Sequence, residues 1–520
     1  MRRDWPFAEA GGLPQASARG LPPVRRFDPG ASPARSGFLL LALALVLTVA
    51  LRAAEPAEPA ATVPPDTGAP THDGPTALRQ QHRVTVTTNA VTGVAGTNPA
   101  PAAATGFTFH SQWRGWDGLH TEVTRRLGTN DPFAEFREKL EGTNAVRVVR
   151  LEQLKLSGKL GAKLAVDGAA FVTSKDLNGF DNGAELRRAR LYGKGDCILL
   201  LPVSYELEIG YIPDEFYLEQ SYLAFKPIPY LGELKGGQFQ APMGLDMINS
   251  SRDLTFMEPA APLQALAPGV NAGVQIGKPV LDRRASWRLG LFTDGVGHDF
   301  GDASGDYGRA IFRFTGLPWD QPGTNAFDGP GLLHVGVSAN VLYSSSSSVR
   351  YQARPESHLA PHVVDTGNID ADGALATGVE AAWVRGPFSL QGEYLHSWVR
   401  ENNGQVPEFH GAYVTASWFL TGESRPYDRS DGTFGRVIPR HDFAFREGGW
   451  GAWELAARLS HIDLVSGDVH GGRTSIFMAG VNWYLHSHVK WRFDYGFGHV
   501  DGRNPEGNFN IFETRVEVDF

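Results

Sequence analysis

Cysteine is nearly absent: Cys197 is the one example in 520 residues. A lone thiol excludes an intramolecular disulfide and a cysteine-built metal site, and its ordinary role is packing. Long apolar runs are just as scarce. The only one spans residues 38–51, FLLLALALVLTVAL, and its 14 residues fall short of the ~20 that a spanning helix needs. With 42% hydrophobic residues and a mean hydropathy of −0.24, a bundle of membrane helices is excluded. Positive charge is thin outside the N-terminal stretch. Formal net charge is −9, yet residues 1–54 hold seven Arg against Asp4, Glu9 and Asp28, so the remainder is more acidic than the whole. That balance argues against a nucleic-acid partner.

Arg25, Arg26 and Arg35 precede the apolar run, the order of a secretory signal peptide with a basic n-region and a short apolar h-region. Residues 1–54 therefore read as a signal peptide with a long basic n-region, although no clean A-x-A site follows Leu51. Residues 55–105 are rich in Pro, Ala, Thr and Gly without apolar periodicity and read as a disordered linker. Residues 106–155 read as a short periplasmic segment. Within it, 107–119 mixes aromatics with Gly in an extended pattern, and 131–142 (DPFAEFREKLEG) predicts one helix. Asp131 caps it, Pro132 takes the first turn, Phe133, Phe136 and Leu140 share a side, and Gly142 stops it.

What the chain does have is glycine, 61 residues, and 11% aromatics, set from residue 156 onward in a pattern of period two. In the last stretch, IFETRVEVDF, Phe512, Thr514, Val516, Val518 and Phe520 fall on one face of an extended strand and Glu513, Arg515, Glu517 and Asp519 on the other. Likewise Val489, Trp491, Phe493, Tyr495 and Phe497 oppose Lys490, Arg492, Asp494 and Gly496. A dry core would have to bury one of these sets. A water-filled lumen accepts the charges at little cost while lipid takes the other face. Sixteen such segments fit between 156 and 520, with 216–226 and 269–280 alternating least well. The spacing predicts an all-β chain: a transmembrane antiparallel β-barrel of about 16 strands over 156–520, preceded by a disordered N-terminal arm. With both ends of the barrel on the periplasmic side, 241–268, 295–306 and 345–373 are long extracellular connections, whereas 422–450 is long yet falls on the periplasmic side. Tyr222, Trp383, Trp398, Trp418, Trp483 and Tyr484 lie near strand ends, where aromatic girdles meet the lipid interface.

Several strings, LRRARLYG (186–193), GGQFQAPMGLDMINSSRDLTFME (236–258), FLTGESRPY (419–427), GAWELAARLS (451–460) and GVNWYL (480–485), together resemble the phosphate-selective porin O and P family. The resemblance runs from about Trp116 to the C-terminus. It implies a sixteen-stranded, trimeric outer-membrane porin whose third and fifth extracellular loops fold inward and whose lumen carries basic side chains for anions. By count those loops are 241–268 and 345–373. Arg187 and Arg188 match the family's Arg-Arg pair, with Arg190 on the same strand face as Arg188. Arg252 follows a Ser-Ser pair in the third loop, and Arg350 and Arg354 lie in the string VRYQARP of the fifth. These six are the candidate pore-lining contacts for anions. Departures accompany them: Gln238 stands where some members have Arg, Pro259 follows Glu258 where many have Arg, and loop 241–268 holds Asp246, Asp253 and Glu258 against Arg252 alone.

Other constellations carry no chemistry of their own. His298-Asp299, His441-Asp442 and the group His358, Pro361, His362 lack the fixed spacing of a metal site, and Ser344 to Ser348 lack a G-x-S-x-G turn. The sequence therefore predicts a non-enzymatic channel in the bacterial outer membrane, without cofactor, for passive diffusion of small polar solutes, anions such as phosphate among them. Its partners are outer-membrane lipid, small anions and copies of itself in a homotrimer. The alternative is an occluded structural barrel, or a protein tethered to the cell wall through the 55–105 arm.

Overall fold

The computed structural model describes residues 153–520 apart from 199–201, 213–214, 229, 295–306, 322–330 and 447, and the backbone of Val84–Thr88, Gly106–Trp113 and Leu119–Arg126. Sixteen long strands make the wall. They are β1 (Gln153–Thr173), β2 (Gly183–Ile198), β3 (Pro202–Ile212), β4 (Glu215–Ile228), β5 (Gly232–Gln240), β6 (Val270–Val280), β7 (Ala285–Thr293) and β8 (Tyr307–Gln321). Then come β9 (Gly331–Ser344), β10 (Ile369–Arg385), β11 (Phe388–Glu401), β12 (Glu408–Phe419), β13 (Ala452–Ser466), β14 (Val469–His486), β15 (Val489–Asp501) and β16 (Gly507–Asp519). Each pairs antiparallel with its neighbour in sequence, and β16 closes on β1 from Phe509↔Thr173 to Asp519↔Lys163. Every segment read from alternation corresponds to one of these strands, the two weakest included.

The faces are as the alternation requires. Leu191, Phe216, Leu291, Phe312, Val379, Phe493 and Phe512 are exposed on the outer wall, while Arg313, Arg458, Arg492 and Arg515 are among the largest side chains fully buried inside. The girdle needs correction. Trp383 and Trp418 are exposed, and Trp483 stacks on Trp453 and Trp491. Tyr222 and Tyr484, however, turn inward, where their hydroxyls donate to Glu206 and Glu454 at 2.8 Å each. Trp483 and Tyr484 are neighbours on a strand, so they cannot face the same side.

Where β16 meets β1, the backbone of Phe520 exchanges hydrogen bonds with Ala162 at 3.0 and 3.1 Å. Gly161 permits this seam: a Cβ there would collide with the Phe520 carbonyl and the Tyr192 ring. Beyond the reach of β16, residues 153–160 of β1 pair instead with Leu119–Arg126, which pairs with Gly106–Trp113, which pairs with Val84–Thr88. The predicted helix at 131–142 lies outside the described residues, as do 1–54.

Among the described residues, three segments fold into the barrel. The connection 241–268, hereafter L3, leaves β5 and reverses at Gly244, whose left-handed φ of 79° suits a residue without a side chain. It carries α1 (Leu245–Ile248) and α2 (Ala261–Leu266), the latter opening with Pro262, which costs nothing in a first turn because that N–H has no helical partner. Met243, Leu263 and Phe256 of L3 pack with Phe409, Ile462 and Ile476 of the wall in one buried cluster. The connection 345–368, hereafter L5, sits beside it. The third insert is the connection that the alternation left out of place. Residues 420–451 rise from the periplasmic end, and Phe434 of this segment joins Leu245 of L3 with Leu317, Leu332 and Val384 in a second buried cluster.

Candidate functional site

Two irregularities in the wall build the site. Between β1 and β2 the register passes from Ala165↔Arg188 to Val166↔Leu186, so Arg187 is an extra residue. Strict alternation would send Arg187 and Arg188 to opposite faces, whereas a bulge lets both turn inward. Between β3 and β4 the register passes from Glu208↔Gln220 to Ile209↔Leu218, leaving Glu219 as the extra residue. This bulged wall, L3 and L5 enclose a cavity of about 500 Å³. Its wall residues come from β1, β2, β4, β5 and β6, and among the described residues none comes from β7 to β16.

Five cations, Lys163, Arg187, Arg188, Arg190 and Arg354, line the cavity against three carboxylates, Glu219, Asp246 and Glu258. Arg190 is held on two of its nitrogens: its Nε donates to Tyr217 Oη at 3.0 Å, and its Nη1 lies 2.8 Å from Glu219 and 3.3 Å from Glu208. Lys163 holds the other oxygen of Glu208 at 2.6 Å. Arg354 is bent back on its own loop, its Nη1 donating to the carbonyls of His358 and Ala360. Asp246 is claimed from the far side by Arg458 at 3.1 Å, so it adds little negative charge to the cavity.

Glu258 is the centre of the cluster. Arg187 grips it through two hydrogen bonds of 2.9 and 3.1 Å, and Arg515 adds a third at 2.6 Å. Burial alone would raise its carboxyl, but the charges of Arg187, Arg515 and Arg188 outweigh that and hold it well below the usual carboxylate range. At the outer lip, burial and the neighbouring Arg354 push His362 below the ordinary histidine value, so it is uncharged at neutral pH.

Arg188 differs from its neighbours. Its guanidinium is buried, with Glu517 at 3.6 Å and Glu258 at 3.9 Å, both beyond hydrogen-bond reach. Its Nε and Nη1 have no hydrogen-bond acceptor. A buried guanidinium in that condition is costly unless something anionic completes it.

Of the six arginines singled out in sequence, Arg187, Arg188, Arg190 and Arg354 are brought together here. The other two are not. Arg252 lies within a turn closed by Asp253 N to Ser250 O and reaches toward the periplasmic end, where it meets Asp519 at 2.9 Å beside Arg436 and His488. Arg350 is half-exposed on L5 and tied to Asp365 by bonds of 2.8 and 2.5 Å. It points away because Tyr351, next along the chain, turns inward to Ser397. Lys163, Glu219, Gln220, Gln240, His358 and His362 also line the cavity without having been assigned to it. Alternation along β1 was enough to find Lys163; the histidines needed the folded position of L5.

Residues 159–520 match the family profile described as phosphate-selective porin O and P. The chain belongs to that family. It is 26% identical to Porin O of Pseudomonas aeruginosa over 416 residues, covering 70% of this chain and 89% of that protein. An uncharacterized protein of Caulobacter vibrioides is 28% identical over 389 residues, covering 70% of this chain and 74% of the other. Among solved structures, the anion-selective porin from Comamonas acidovorans is similar over 70% of this chain and all of its own length, at 13% identity and a TM-score of 0.44. The protein is an outer-membrane porin, a channel in family and in fold. Among the described residues no group of three or more His, Cys, Asp or Glu is placed to hold a metal ion.

Proposed function

We propose that this porin conducts small oxyanions, inorganic phosphate among them, by passive diffusion past Arg188, with Arg187, Arg190 and Arg354 shaping the field around it. The observation that carries this reading is the Arg188 guanidinium: buried, facing the cavity, with Nε and Nη1 lacking acceptors. A bare oxyanion needs several N–H donors to replace the water it sheds. Among the described residues of the cavity, Arg188 has buried donors without an acceptor. Arg252 and Arg436 would receive the ion next, toward the periplasmic mouth. No energy source is involved, and direction follows the gradient. The functional unit would be a homotrimer, and residues 38–51 would direct export before removal.

The test is a reversal potential across a planar bilayer holding the purified protein in a salt gradient. Anion selectivity in chloride, with inorganic phosphate reducing the chloride current, is expected. A cation-selective channel sinks the reading, and a barrel that inserts without current steps would favour the occluded, structural alternative.

A further inference from the structure

The segment 420–451 does not stop at the lumen. Its inner part is buried: Phe434 lies in the second cluster, and Val437 packs with Phe419, Ala452 and Tyr484 in a third. Arg440 N then donates to Glu423 at 3.0 Å, and by Phe443 the chain is on the other side of the wall. The Phe443 N–H donates to the Leu485 carbonyl at 2.7 Å, and its ring meets Trp483 edge-on at 5.1 Å. Trp453, Trp483 and Trp491 are register partners across β13, β14 and β15. They alternate with Ala452, Tyr484 and Lys490, which are buried inside, so the tryptophan row faces lipid.

The chain has therefore passed over the periplasmic rim, and against the outer wall it doubles back. Ala444 N donates to Gly449 O at 3.0 Å, and Gly448 N to Ala444 O at 3.1 Å. The Trp450 carbonyl accepts the indole N–H groups of Trp453 and Trp483 at 3.1 and 2.8 Å. With these backbone groups paired, the hairpin turns rings outward: Phe445 is 92% exposed and Trp450 69%.

We propose that residues 443–450 are an interfacial anchor, which seats Phe445 and Trp450 among the phospholipid headgroups of the periplasmic leaflet and so ties the lumenal part of 420–451 to the bilayer. Contiguous exposed apolar surface marks something that covers it, and rings with one apolar and one wet side settle at the membrane interface. The occupant is the bilayer because the hairpin continues a tryptophan row that already lies on the lipid side, at the strand ends where the interface falls. The tie reaches the pore interior, since 438–442 alone separate the buried Val437 from Phe443. This holds whichever ion the channel carries.

The experiment puts an environment-sensitive fluorophore on the hairpin. In a Cys197→Ser background, Phe445→Cys carries a nitrobenzoxadiazole label in phosphatidylcholine vesicles, and Asn403→Cys, in the exposed turn after β11, is the aqueous control. The label at 445 should be quenched by lipid bearing a nitroxide near its headgroup, and several-fold less than the control by iodide. Equal iodide quenching at the two sites overturns the anchor. A second arm needs no label. Phe445→Ser with Trp450→Ser, or Phe445→Ser alone if the pair fails to insert, should widen single-channel current fluctuations several-fold, while Phe445→Tyr with Trp450→Tyr stays as quiet as wild type. Serine variants as quiet as wild type would refute the tie to the lumen.

Discussion

Arginine means different things at different places in this barrel, and its partners decide which. Arg188→Ala should lower the anion-to-cation permeability ratio several-fold, because it removes the guanidinium with unmet donors. Arg350→Ala should leave the ratio unchanged, since that residue is paired with Asp365 outside the cavity; equal effects from the two variants would misplace the constriction. On the outer wall, Phe493→Arg should cost about 2–4 kcal/mol, measured by denaturant unfolding in lipid, if Phe493 faces the bilayer midplane. Glu258 adds a pH test. Its carboxyl is depressed in the folded protein, so its stabilisation is complete above the unfolded value and is lost only as pH falls through the folded one. Wild type and Glu258→Gln should therefore differ in unfolding midpoint by the same amount at about pH 7 and about pH 5. A gap that shrinks between the two would mean the carboxyl titrates in that window.

At the scale of elements, L3 is a loop only by connectivity. It crosses the lumen and is fastened to the opposite wall. Glu393 of β11 accepts the N–H groups of Leu245 and Asp246 at 2.8 Å each, and Arg458 of β13 binds both Asp246 of L3 and Glu356 of L5 at 3.1 Å. Glu356 holds a left-handed φ of 61° and also accepts the Ala261 N–H that opens α2, a strain that its contacts must outweigh. Arg458→Met would leave the two buried carboxylates Asp246 and Glu356 without their shared counter-ion and should destabilise the barrel by about 3–5 kcal/mol, read as a lower denaturation midpoint. The wall was legible in the sequence because lipid and lumen impose period two on every strand, as in 489–497. The inserts were not. Nothing in the local pattern of 422–450 says that Phe434 meets Leu245 across the interior, because that contact depends on segments almost two hundred residues apart. Nor could alternation place Arg187 and Arg188 together, since a bulge is an exception to the rule that finds strands.

For the whole molecule, the interior is braced from both mouths. The segment 420–451 touches the wall through Arg313 to Gly432 O at 2.9 Å and Arg288 to Asp431 at 2.6 Å, meets L3 through Phe434 N to Asn249 at 2.9 Å, and reaches Asp519 with Arg436. Burial alone would raise the Asp431 carboxyl, but Arg288 and Lys235 outweigh it and hold it below the ordinary range, so the brace persists at neutral pH. Shortening residues 427–438 to a tight turn should raise single-channel conductance and reduce discrimination between chloride and potassium; an unchanged current would mean the brace stands clear of the ion path.

Because the cavity takes its wall residues from β1 to β6 while Glu393 and Arg458 fasten the inserts to β11 and β13, different arcs of the cylinder answer to different pressures. Damage between β9 and β13 should shorten the protein's lifetime and leave the current of surviving molecules much as it was. Damage between β1 and β6 should do the reverse. A collection of variants scored for both abundance and flux would thus draw the off-centre ion route around the circumference, with no further need to see it.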